Sequence, residues 1–163
     1  MARPARNGNK AAILRPTRTF FATTKTAMGF RLFQSERNAN LLIDVLRSCV
    51  AAQKFQLHDF VIMPDHVHLL VTLHGQMTIE RAMQLIKGRF SYRMKKETGY
   101  LGEVWQVSFS ETRADGEETF SRYREYIAQN PVKAQLAETP EQYPYCFSFL
   151  AKKKAQGLKP QIL

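Results

Sequence analysis

The sequence predicts an α+β domain in which a β-α-β-β-α-β antiparallel sheet, the split ferredoxin-like arrangement, carries an added C-terminal helix. Three observations predict it. Two short apolar runs rich in β-branched residues flank a Pro-Asp turn in Phe60-Val-Ile-Met-Pro-Asp65-His66-Val-His68-Leu-Leu-Val-Thr-Leu73, the pattern of a β-hairpin. A helical stripe lies on each side of that hairpin. A third helical stretch follows an Asp115-Gly116 turn signal.

Each element has its own reason. Residues 18–26, Arg-Thr-Phe-Phe-Ala-Thr-Thr-Lys-Thr, are β-branched and aromatic and read as the first strand. Gly29 permits a turn, and Ser35 opens a first helix whose Leu41, Leu42, Val45, Leu46 and Val50 recur at helical spacing until about Gln53. The hairpin spans 55–73 and ends at Gly75. Thr78 caps a second helix, in which Ile79, Met83, Ile86, Phe90 and Met94 form the buried stripe. After a loop at 99–102, residues 104–110 alternate enough to serve as the fourth strand, with Trp105, Val107 and Phe109 on one face. The third helix runs from about Glu117 to Gln129, and Pro131 is expected to stop it. The remainder, with Pro140, Tyr143, Pro144 and Tyr145, reads as an irregular segment packed by its aromatics. The chain thus divides into a flexible basic arm at 1–17, a folded domain at 18–149 and a loose basic tail at 150–163 that contains Lys152-Lys-Lys154.

Bulk properties narrow the class. At 163 residues the chain can bury a core as one domain. No apolar run approaches the ~20 residues of a membrane span. The basic, polar start lacks the apolar core of a secretory signal, so a cytoplasmic location is expected. Cys49 and Cys146 have no paired spacing and read as idle or buried thiols. The net charge of +10 suits a polyanionic partner, nucleic acid first among them, although a generically basic protein would share it. The second helix turns Lys87, Arg89, Arg93, Lys95 and Lys96 away from its apolar stripe; they are either a solvated face or a track for phosphates.

The chemistry is concentrated in two places. Alternate residues of a strand face one side, so His66 and His68 project together while Val67, Leu69, Val71 and Leu73 line the other. Two imidazoles on one face start a metal site, or are two solvated histidines. Tyr126 and Asn130, four apart, share a face of the third helix. The Asn130 amide could complete a metal site with the Tyr126 hydroxyl nearby; alternatively Asn130 caps the helix and Tyr126 is a packed aromatic. Asp65 either holds a histidine by a hydrogen bond or only shapes the turn. Tyr123, one turn before Tyr126, is a second candidate hydroxyl.

Together, Met63-Pro-Asp-His-Val-His-Leu-Leu and Tyr126-Ile-Ala-Gln-Asn-Pro-Val-Lys133 resemble the single-tyrosine HUH transposases, the small insertion-sequence transposases and their relatives associated with repetitive extragenic palindromes (REP). The resemblance spans residues 18 to 149, and the Asn-Pro-x-Lys segment with its C-terminal extension points to the REP-associated branch. It implies a ferredoxin-like fold with Tyr126 as nucleophile and His66, His68 and Asn130 as ligands of Mg²⁺ or Mn²⁺. It implies a DNA strand transferase that cuts and rejoins single-stranded DNA at hairpins and palindromes through a covalent 5′-phosphotyrosine. Relatives include homodimers, in which the tyrosine serves the partner's histidines, and monomers. Two other readings stay open: a non-catalytic hairpin-binding protein on the same fold, and a metal-dependent hydrolase with no use for Tyr126.

Overall fold

A computed structural model of the protein describes residues 17–157, so the basic arm lies outside the described residues up to Thr17. Strand β1 (Thr17–Lys25) leads through two short 3₁₀ turns into helix α1 (Glu36–Ala51). The hairpin β2 (Gln56–Met63) and β3 (His66–His74) follows, then helix α2 (Ile79–Thr98), strand β4 (Ser110–Arg113), helix α3 (Glu117–Lys133) and helix α4 (Phe147–Ala155). The strands form one antiparallel sheet in the order β2-β3-β1-β4, so the expected β-α-β-β-α-β topology is present.

Local chemistry sets the ends of these elements. Ser35 and Thr78 cap α1 and α2, each side chain accepting from a backbone N–H three residues on. Gly99 ends α2 in the left-handed conformation that lacks steric cost only for glycine. The hairpin turn leaves only Pro64 and Asp65 between the paired Met63 and His66. It is pinned from outside, because Thr26 donates to the Asp65 carbonyl and the Phe33 N–H to that of Pro64.

Strand alternation divides the sheet into two faces. Ala22, Phe60, Ile62, Val67, Leu69, Val71 and Leu73 face the stripes of α1 and α2 and make the main core. Val61, Met63 and Leu70 face the other way, where Ile127 of α3 and Tyr143 close a smaller core. Among the described residues two buried side-chain atoms lack a partner, Arg47 Nε and the Thr24 hydroxyl. Thr24 is 1% exposed and its hydroxyl has no hydrogen-bond partner. Thr24→Val keeps the shape and removes the desolvated hydroxyl, so it is expected to raise unfolding stability by about 1–2 kcal/mol. Urea denaturation checks this; an unchanged or lower midpoint would mean that the hydroxyl is satisfied.

Three sequence expectations are corrected. The fourth strand is Ser110–Arg113, and residues 104–109 are a loop, joined to the end of β1 by an isolated Thr26–Trp105 bridge and a bond from the Gln106 N–H to the Lys25 carbonyl. Ser108, at φ 75°, breaks the extended run. Pro131 does not stop α3. It sits inside the last turn, where its missing N–H costs a single intrahelical bond, and its ring is buried. The Ala134 and Leu136 N–H groups then close on the carbonyls of Asn130 and Pro131, so Asn130 is helical and not a cap. The segment that carries Tyr143 and Tyr145 packs along the edge of β2. Tyr143 Oη donates to the Ile62 carbonyl at 2.6 Å, Ile62 N–H donates to Tyr145, and Cys146 bridges Val61. This covers an edge strand that would otherwise present unpaired groups. Residues 150–155, expected as loose tail, continue helix α4. Both cysteines are free and buried, as expected.

Candidate active site

The smaller face of the sheet carries the chemistry. β1 and β3 pair along their whole length, which sets Thr23 opposite His68 and Lys25 opposite His66. The two imidazoles lie 4.9 Å apart, centroid to centroid, and nearly perpendicular. Each has one nitrogen engaged. His66 Nδ1 is 2.7 Å from Asp65 Oδ1, and His68 Nδ1 is 2.8 Å from Thr23 Oγ1. A carboxylate only accepts, so the Asp65 contact puts the proton of a neutral His66 on Nδ1 and leaves a lone pair on Nε2. His68 is 5% exposed, and burial, helped by the charges of His66 and Lys25, pushes its pKa down to about 3. It is a neutral base throughout the physiological range.

Helix α3 lies across this face of its own chain. Ile127 and Phe120 anchor it in the smaller core, and Arg124 pairs with the buried Asp59 of β2 at 3.4 Å. Burial raises the Asp59 carboxyl to about 6 against the pull of Arg124. Phe21 of β1 is the platform on which the site's aromatics meet. It stacks on Tyr123 at 4.4 Å and on His68 at 5.3 Å, and it meets Tyr126 edge-on at 5.7 Å. The Tyr126 ring stands 5.3 Å from His68 and is 45% exposed, whereas Tyr123 lies flat and half-buried on Phe21. Asn130 is half-buried one turn beyond Tyr126 on the same side of the helix.

The structure therefore brings Tyr126 to the His66–His68 pair, with Asp65 behind His66. Sequence reasoning missed Phe21 and Thr23. Their alternation along β1 was visible, but their partners depend on the β1–β3 register, which no local pattern encodes. The basic residues of α2 are elsewhere. That helix covers the opposite face of the sheet, and four of its five named cations are engaged within the protein. Lys87 donates to the carbonyls of Gln106 and Ser108, Arg89 reaches Ser48 and Cys49 of α1, and Arg93 pairs with Glu97 and Asp44. Lys95 is exposed, and Lys96 lies over the Tyr92 ring. His58 bonds Thr72 and is clear of the histidine pair. The largest cleft among those described, about 700 Å³ between α1 and the C-terminal segment, contains neither a histidine nor Tyr126.

With a histidine pair and a tyrosine gathered on one sheet face, comparison with known proteins becomes informative. Residues 26–130 match the family described as "Transposase IS200 like". The chain belongs to the IS200-like transposase family. That match includes the histidine pair, Tyr126 and Asn130. The transposase is 25% identical over 133 residues to a protein assigned as a REP-associated tyrosine transposase in Haemophilus influenzae, covering 71% of this chain and 76% of that one. It is 32% identical over 77 residues to the ISDra2 transposase TnpA of Deinococcus radiodurans, covering 44% of this chain and 55% of the relative. In three dimensions it resembles a REP-associated tyrosine transposase solved with a REP hairpin, at a TM-score of 0.69 and 22% identity over 90% of this chain and 84% of the other. That likeness concerns the fold. Among the described residues no helix is long and apolar enough to cross a membrane.

Proposed function

We propose that this transposase is a strand transferase for single-stranded DNA with hairpin or palindromic ends, with Tyr126 as its nucleophile. The observation that carries the reading is the Tyr126 ring set against His68 within one chain. The Tyr126 oxygen attacks a phosphodiester phosphorus, a Tyr–O–P bond forms, and the bond to the 3′ oxygen breaks to release a 3′-hydroxyl. A phenol has a pKa of about 10, so phenolate is an adequate leaving group when that hydroxyl attacks in return. The bond energy is retained in the protein–DNA link and rejoining needs no external energy source.

The donor set suits a divalent cation. The Nδ1 contacts made by His66 and His68 can leave both Nε2 atoms available, burial keeps His68 neutral, and both rings are held from behind. In this reading the third protein donor is the amide oxygen of Asn130, half-buried on the same side of α3 as Tyr126. Two imidazoles and one amide accommodate Mn²⁺ or Mg²⁺ with positions left for substrate oxygens. Such an ion withdraws negative charge from the phosphate and makes the phosphorus more open to attack. The hairpin in the structure of the REP-associated neighbour, the net charge of +10 and Lys25 beside the histidines support DNA as the substrate.

The test is a covalent-adduct assay with labelled single-stranded hairpin DNA and Mn²⁺ or Mg²⁺. A protein–DNA band stable to SDS and lost with chelator is expected. Tight hairpin binding with no band across a panel of palindromes would instead make the protein a binding module. Thr23 acts here as a positioning residue. Thr23→Val takes away the partner of His68 Nδ1 at nearly constant shape, so the Mn²⁺ needed for half-maximal adduct formation should rise about 10- to 100-fold. Thr23→Ser should restore it. An unchanged Mn²⁺ requirement in Thr23→Val would remove Thr23 from this role.

A further inference from the structure

A second cleft lies around the edge of the sheet from the histidines, between α2 and the 104–109 loop. It has a volume of about 410 Å³ and is mainly apolar, with Trp105 and Phe109 on one wall and Gln84, Gly88 and Ser91 of α2 on the other. Gly88 is the telling residue. Glycine weakens a helix interior relative to almost any other residue and is usually excused there by a close neighbour. No such neighbour exists, because a Cβ placed on Gly88 would meet nothing within 4 Å. Its absent side chain therefore leaves the cleft open.

The wall opposite Gly88 is built in advance. Lys87 Nζ donates to the carbonyls of Gln106 at 3.1 Å and Ser108 at 2.7 Å, and Trp105 Nε1–H donates back to the Lys87 carbonyl at 3.0 Å. These bonds hold Ser108 in a left-handed conformation, φ 75°, that non-glycine residues seldom adopt. The same loop connects this cleft with the histidine face. Ser108 and Phe109 also line a smaller cleft of about 260 Å³ that contains Thr23, opposite His68, and Lys25, opposite His66. Val107, at the tip between the two, is 97% exposed.

We infer that the α2 cleft receives one unpaired nucleobase of the DNA strand whose phosphate lies at Tyr126. The inference rests on the reading of single-stranded DNA as substrate, and it names the element that reads a base beside the cut. A flat aromatic heterocycle fits walls of indole and phenyl with an open glycine floor, and a strand leaving the histidines over the 106–110 loop reaches it without crossing the sheet. The volume is that of a small-molecule site, about 300–1,000 Å³. Gln84 and Ser91 stand at the rim with the donors and acceptors that discriminate base edges. Lys87 contributes by fixing the wall.

Trp105 is the only tryptophan in the chain, so its fluorescence reports this cleft directly. The full-length Tyr126→Phe protein, which separates binding from chemistry, is titrated with a hairpin oligonucleotide carrying a single-stranded flank and with the same hairpin without the flank. Saturable quenching of Trp105 is expected only with the flank. A scan of abasic sites should locate one flank position whose base is required for it. Gly88→Leu, added to fill the cleft, should abolish the quenching, weaken binding of the flanked hairpin about 10-fold and become indifferent to that abasic position. Leucine is the better helix former, so an unchanged or raised melting temperature verifies that the variant folds. Quenching that persists in Gly88→Leu, or none in the parent, overturns the cleft. The adduct assay on the unsubstituted protein fails separately, and adduct formation without Trp105 quenching would discard the cleft while keeping the nucleophile.

Discussion

Tyr126→Phe is expected to form no covalent adduct with hairpin DNA, a loss of at least ~10³-fold, while binding the same DNA within about twofold of the unsubstituted protein. The substitution removes one oxygen and keeps the ring that packs at 5.3 Å from His68 and 5.7 Å from Phe21. Helix α3 is held by Ile127, Phe120 and the Arg124–Asp59 pair, none of which involves the Tyr126 hydroxyl. Its position should therefore be unchanged, and binding should survive. Cleavage retained in this variant without a protein-linked product would favour metal-dependent hydrolysis. A retained adduct mapping to Tyr123 would move the nucleophile one turn back along the helix. The geometry disfavours that outcome, because Tyr123 lies flat on Phe21 with an interplanar angle of 12° and is more buried than Tyr126.

Mixing His68→Ala protein with Tyr126→Phe protein is expected to give no adduct at any ratio. Each variant lacks one half of the site. In a dimer whose tyrosine helices serve the partner's histidines, an equal mixture with free subunit exchange would restore about a quarter of the sites. Here α3 follows β4 after a short turn and packs on its own β2 and β3, which places Tyr126 against the histidine of the same chain. No mixture can then assemble an intact site. Adduct formation at about that fraction would show that the helices exchange between copies in solution, and the site would have to be described as shared.

Much of this site was legible in the residues themselves. His66 and His68 share a strand face because side chains alternate along any strand, and Tyr126 and Asn130 share a helix face because four residues nearly complete a turn. Both geometries are local. Thr23 and Phe21 were not legible, because their value lies in which residue stands across from them, and register is a property of two strands together. The surroundings of the basic face of α2 were not legible for a related reason. Lys87, Arg89 and Arg93 read as a row of cations, and only the fold shows that a loop and a helix supply them with carbonyls, a hydroxyl and the Asp44 carboxylate from distant parts of the chain. Pro131 misled through a rule about isolated helices, which tertiary burial of its ring outweighs.

The sequence by itself determined the order of elements, the two faces of the hairpin and both helix caps. Each of these depends on dihedral preference and periodicity over a few residues. Only the tertiary structure decided that Tyr126 meets the histidines of its own chain, that Thr23 and Asp65 hold those histidines from behind, and that Gly88 opens a cleft beneath Trp105. These are contacts between segments far apart in the chain. They are selected by the packing of whole faces against one another, and so by every residue on those faces at once.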